Sequence, residues 1–156
     1  MKKVLIALDF DPTALKVADE GFSMAKAMKA GVILMHVIAD ATYYSALEYS
    51  PITGFSGFMD MYNNQLDSAG ALKKVSLNYL NKVKLKLGDK TIKTVVKEGE
   101  FADSIIEAAK ELKVDTIVMG SHSRRWLEEI LIGSVTEKVL HRTTVPILIV
   151  PTKQKR

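Results

Sequence analysis

The stretch Met119 to Leu140 reads MGSHSRRWLEEILIGSVTEKVL. It holds two glycines thirteen positions apart, Gly120 and Gly133, each followed by a serine. Between them stand His122, Ser123, Arg124 and Arg125. Ser134, Val135, Thr136 and Glu137 spell the S-x-x-E capping box that signals a helix start. The first amides of such a helix have no partner within it, and with the helix dipole they form a seat for a phosphate. Gly133 lets backbone approach that anion closely. Gly120 leaves room at a strand exit for a flat base or a ribose, and the two arginines add positive charge. The loop is chemically suited to a nucleotide. Its glycines also turn the chain and its serine also caps a helix, so the loop alone leaves both readings open. Neither G-x-x-x-x-G-K-[ST] nor G-x-G-x-x-G occurs in the chain.

The elements that must position this loop follow from hydrophobic periodicity. Val4 to Leu8 is a continuous apolar run, expected to be a strand buried on both faces. Asp11 and Pro12 are placed as N-cap and first residue of a helix. Leu15, Ala18, Phe22 and Ala25 keep helical spacing, and Gly31 is expected to stop it. Val32 to Ile38 is a second buried strand. The segment from Asp40 to Asn64 breaks the rhythm, yet it carries Tyr43, Tyr44, Tyr49, Phe55, Phe58 and Tyr62, six of the chain's eleven aromatics. It reads as an ordered loop that lies on another surface. A helix from about Leu66 to Leu87 is closed by Gly88. The strand TIKTVVKEG, expected near a sheet edge, is followed by the helix FADSIIEAAKELK, the strand VDTIVMG, a helix from Ser134 to His141 and the strand VPILIV. The β-α-β-α-β-α-β-α-β order predicts an α/β fold, a mostly parallel sheet with helices on both faces. Ligands bind such sheets beyond the carboxyl ends of the strands. Those ends are Asp9, Val37 with Ile38, and Met119 with Gly120.

Composition narrows the classes. The chain of 156 residues has no cysteine, which removes disulfides, thiolate metal sites and a cysteine nucleophile. The apolar run at the N-terminus is cut short by Asp9 and Asp11, too early for a signal core or a membrane span. The expected setting is the cytoplasm, with no membrane partner. Net charge is +4 with both signs interspersed, and no basic helix or basic–aromatic stretch points to nucleic acid. Residues 1–152 read as one domain and 153–156 as a solvated basic tail. His36, His122 and His141 show no metal spacing. His36 reads as a satisfied, partly buried strand histidine, and His141 as a structural cation at a helix C-terminus.

Gly120, then Ser121 and His122, then Ser123, nine residues, then Gly133 and Ser134 resembles the nucleotide-binding signature of the universal stress protein family, with serine at the signature's middle glycine. The resemblance extends over nearly the whole chain: VLIALD, VILMHVI, EGEFADSIIEAAKELKVDTIVMGSHSR and LIGSVTEKVLHRTTVPILIVP. It implies an α/β/α sandwich of three layers with five parallel strands in the order 3-2-1-4-5. It implies ATP or AMP as ligand, with Mg²⁺ on the Asp9 side. Leu8 and Asp9 would face the ribose or metal, Val37 would bond adenine through its backbone, and Met119 and Gly120 would line base and sugar. His122, Ser123 and Arg124 would lie along the phosphates, and Gly133, Ser134, Val135 and Thr136 would hold them. The resemblance also implies a homodimer through the last strand, Val145 to Val150, acting in the stress response. Ser123 keeps open an interaction protein without nucleotide. A slow ATPase or autophosphorylating protein would have only Asp9 and His122 to work with, since no activated nucleophile is readable.

Overall fold

A computed structural model describes residues 1–39, 69–121 and 132–152. The aromatic segment, His122, Ser123, Arg124, Trp126 and the tail lie outside the described residues. Among the described residues nine elements follow one another: β1 (Lys3–Ala7), α1 (Ala14–Ala27), β2 (Gly31–Ile38), α2 (Ala69–Leu87), β3 (Lys93–Glu98), α3 (Phe101–Glu111), β4 (Thr116–Gly120), α4 (Ser134–Arg142) and β5 (Ile147–Val150). The five strands form one parallel sheet in the order β3-β2-β1-β4-β5.

Strand alternation sends side chains to two cores. Val4, Ile6, Leu8, Val32, Leu34 and Val118 meet Val17, Ala18 and Ala25 of α1 and Leu80 and Val83 of α2. Leu5, Ile33, Met35, Val37, Ile117 and Met119 meet Ala102, Ile105, Ala108 and Ala109 of α3 and Val139 of α4. Leu5, Ile6, Leu34 and Ile117 are fully buried, each contributing about 1.5–3 kcal/mol by leaving water. β3 lies at an edge, with interior residues that are only half-buried, as its alternation predicts.

α1 packs tightly on the sheet at Gly21, where an added Cβ would stand 2.9 Å from Ile6 Cδ1 and 3.0 Å from Val118 Cγ1. Gly21→Val is therefore expected to destabilise the fold by about 1–3 kcal/mol through overpacking, read as a lower urea midpoint at unchanged m-value.

Three local expectations shift by a few residues. Asp11 does not cap α1. Its carboxylate accepts from the Thr13 N–H and hydroxyl at 2.9 and 2.7 Å, closing an Asx-type turn through Pro12, and the helix starts at Ala14. Gly31 does not stop α1 either. The reversal uses Lys29 at φ 53°, and Gly31 already belongs to β2, its N–H donating to the Lys2 carbonyl at 2.8 Å. The S-x-x-E box does not form. Gly133 is the N-cap of α4, no side chain caps the helix, and Ser134 is its first residue.

Candidate functional site

β1 and β4 lie side by side at the centre of the sheet, with Ile6 opposite Val118. Three residues beyond that pair come Asp9 on one chain and Ser121 on the other. The Ser121 carbonyl accepts the Gly133 N–H at 2.6 Å, and the Gly120 carbonyl accepts the Thr136 hydroxyl at 2.9 Å. These two bonds tie the tip of α4 to the exit of β4. The Ser121 N–H in turn donates to the Val150 carbonyl at 2.9 Å, and the Thr152 N–H donates to Ser121 Oγ at 3.0 Å, so the end of β5 joins the same knot. The glycine-serine pair at 133–134 is thereby brought to the exit of β4, the strand that pairs with β1.

At the tip itself, the Glu137 N–H makes the first intrahelical bond, to the Gly133 carbonyl at 2.9 Å. The amides of Ser134, Val135 and Thr136 precede it and have no acceptor among the described residues. Gly133 at the cap position brings no side chain to satisfy them. Ser134 is exposed, and Gly133 and Val135 are half-buried. Three uncapped amides at the positive end of a helix favour a bound anion. The Thr136 side chain is 4% exposed and its hydroxyl is committed to Gly120, so this residue can offer an anion its amide only.

On the other side of Asp9, β1 and β2 part. Gly31 donates to Lys2, and the Leu8 N–H donates to the Met35 carbonyl at 2.8 Å. In that parallel register the next rung would run from the Val37 N–H to the Leu8 carbonyl. That rung is not formed among the described residues. Instead the Leu8 carbonyl accepts a bond from His36 Nδ1 at 2.8 Å. Ile38 faces β3, its carbonyl taking the Gly99 N–H at 3.0 Å, so by alternation the N–H and C=O of Val37 face the gap above Asp9. A donor and an acceptor side by side on one residue suit the edge of a heterocyclic base.

The floor of the gap is weakly polar. His36 is 3% exposed, and its ring stands edge-on to Phe10 with centroids 4.3 Å apart. Phe10 also meets Tyr79 of α2 at 4.7 Å. Because Nδ1 donates to Leu8, Nε2 of the neutral ring is an acceptor, and it has no hydrogen-bond partner among the described residues. A buried unsatisfied acceptor costs about 1–3 kcal/mol. Desolvation lowers the His36 pKa to about 4, outweighing its bond to Leu8, and the ring is neutral at physiological pH. Burial pushes the Asp9 carboxyl up to about 7, against the bond it accepts from the Asp11 N–H at 2.9 Å and helped by the Asp11 charge. The Tyr79 phenol is raised by burial and by the Asp9 and Asp11 carboxylates, and stays protonated.

Of the residues singled out from sequence, Leu8, Asp9, Val37, Met119, Gly120, Gly133, Ser134, Val135 and Thr136 are described, and they surround the exits of β1, β2 and β4. The side chains of Leu8 and Met119 point into the cores, each 5% exposed, so both can act at the site through backbone alone. Sequence reading missed His36, Thr136 as a tether and Ser121. No spacing signals a strand histidine that takes a carbonyl from the neighbouring strand. Only the register of β1 on β2 reveals it. Among the described residues no cluster of three or more His, Asp or Glu could hold a metal, and no helix is long and apolar enough to cross a membrane.

Known proteins share this fold. The model of the universal stress protein family matches residues 1–151. A universal stress protein of Methanocaldococcus jannaschii is 33% identical over 158 residues, covering 97% of this chain and 96% of the relative. The solved structure of that relative superposes with a TM-score of 0.71 at 29% identity, covering 99% of this chain and 98% of the other. Two further structures share the fold: a universal stress protein in complex with cAMP, at TM-score 0.63, 22% identity and coverage of 97% and 98%, and one from Archaeoglobus fulgidus in complex with dAMP, at 0.61, 17% and coverage of 96% and 97%. With a match of this length to the family model, on a fold and strand order that the family's signature residues predict, the chain belongs to the universal stress protein family.

Proposed function

We propose that this protein is a cytoplasmic regulatory dimer of the stress response that binds an adenine nucleotide, ATP or AMP, at the exits of β1, β2 and β4. The observation that carries the reading is the uncapped tip of α4 tied to the β4 exit beside Asp9. Anionic phosphates suit the three amides at that tip. The base suits the open N–H and C=O of Val37, and the sugar lies between, over Gly120 and beside Asp9. His122, Ser123 and Arg124 are proposed as further phosphate contacts on their place in the signature between Gly120 and Gly133 alone. The complexes of two structural neighbours with cAMP and dAMP support adenosine phosphates as the ligand class. A Mg²⁺ ion there would find one carboxylate, Asp9, and take its other ligands from phosphate oxygens and water. Binding, rather than catalysis, is the proposed activity: no group at the described tip is placed as a general base. The dimer contact is proposed along Val145 to Val150, because β5 is an edge strand with half-buried Ile147, Leu148 and Ile149.

Native mass spectrometry of freshly purified protein tests both parts. The expected spectrum shows twice the chain mass, with additional mass of an adenosine phosphate per chain that is lost on denaturation. Supplying ATP and AMP at up to millimolar concentration covers the case of a ligand lost in purification. A spectrum with no added mass under either condition refutes nucleotide binding, and a monomer at micromolar concentration refutes the dimer.

A further inference from the structure

We infer that His36 is a positioning residue that holds β1 and β2 apart and so keeps the Val37 N–H and C=O available to the base of a bound nucleotide. The inference rests on the adenine-nucleotide reading of the site, and it adds the device that makes the base end of that site.

The ladder dictates the argument. Leu8 still donates to Met35, so the two strands remain in register up to the last rung before the gap. With a simple apolar side chain at 36, the Leu8 carbonyl would be buried without a donor. The nearest one is the Val37 N–H, one rung further along a register already set. The strands would zip by that rung, and the amide that faces the gap would be consumed. His36 prevents this by supplying its Nδ1–H to Leu8 at 2.8 Å. The ring has little freedom to do otherwise, lying 4.3 Å from Phe10 and 6.4 Å from Tyr79 between ring centroids. Its second nitrogen is buried without a partner among the described residues. A histidine here therefore brings a burden that leucine would not, and the one thing it does that leucine cannot is donate to Leu8.

The test compares the wild type with His36→Leu and His36→Asn. The asparagine Nδ2 lies near the place of the histidine Nδ1 and keeps the donor. Three readouts are taken: amide hydrogen exchange at Val37 by NMR, calorimetric titration with AMP and ATP, and titration with inorganic tripolyphosphate, which probes the α4 tip without a base. In the wild type the Val37 amide is expected to be less protected than that of Met35, which lies within the paired stretch. In His36→Leu its exchange slows and affinity for AMP falls about ten-fold, the worth of one hydrogen bond. Tripolyphosphate binding is unchanged, and His36→Asn restores AMP affinity. A Val37 amide as protected as Met35 in the wild type overturns the inference, whether or not the leucine variant folds. So does AMP affinity equal in wild type and His36→Leu. If the wild type binds no nucleotide, the proposed function falls, and the exchange comparison alone still decides whether His36 keeps the strands apart.

Discussion

Ser134→Pro is expected to fold normally and to lose about ten- to hundred-fold in affinity for ATP, the worth of one charge-assisted amide–phosphate bond. Proline is tolerated at the first helical position, because the N–H it removes has no intrahelical partner. It also requires an extended residue before it, and Gly133 already sits at φ −67°, ψ 157°. The substitution therefore subtracts one donor from the α4 tip with little other change, and the expected shift in stability is within about 0.5–1 kcal/mol. Adenosine, which has no phosphate, should bind equally to both proteins. Isothermal titration with ATP, AMP and adenosine separates the outcomes. Equal ATP affinity for both proteins would mean that the Ser134 amide does not touch phosphate.

The second large effect concerns pH, where Asp9 and His36 oppose each other. The Asp9 carboxyl has a folded pKa of about 7 against its ordinary value of 3.8. Folding therefore takes up a proton between those values, and the Asp9 contribution to stability falls as pH rises through the window. His36 has a folded pKa of about 4 against 6.5. Its unfolded form holds more protons between those values, and its contribution falls as pH drops through the window. Each slope is at most about 1.4 kcal/mol per pH unit, with opposite sign, so in the wild type they largely cancel between pH 4.5 and 6.5. Asp9→Asn, which keeps an acceptor for the Asp11 N–H, should expose the histidine: stability that falls steadily from pH 6.5 to 4.5. At pH 8 the same variant should be more stable than wild type by on the order of 2 kcal/mol, since a desolvated charge is gone. His36→Leu should show the reverse slope, losing stability as pH rises from 4.5 to 7. Urea denaturation at four pH values measures all three curves. Parallel curves for wild type and Asp9→Asn would show that Asp9 titrates like an exposed carboxyl.

Much of this was legible in the chain. Five apolar runs separated by helical spacing give the α/β class, and the resemblance to the universal stress protein family implies the strand order that the sheet shows. What the chain could not display was the ownership of individual hydrogen bonds. Ser134 to Glu137 looks like a capping box, yet the helix begins one residue early and Gly133 takes the cap, because Gly133 and Thr136 are anchored to the β4 exit by long-range bonds. Asp11 and Pro12 look like a helix start, yet the local Asx-type turn takes them first. Lys29, rather than the nearby Gly31, turns the chain out of α1, and β2 claims Gly31 by its bond to Lys2. His36 looked satisfied because half of it is. Its Nδ1 is taken by a carbonyl 28 positions away, at Leu8, and its Nε2 has no partner among the described residues.

Nearly every contact proposed here comes from the main chain: the amide pair of Val37, the glycine at 120, the first turn of α4. A reading head of that kind has no side chain to lose. Most substitutions around it leave its polarity as it was, and only those that bend, methylate or re-pair the chain can silence it.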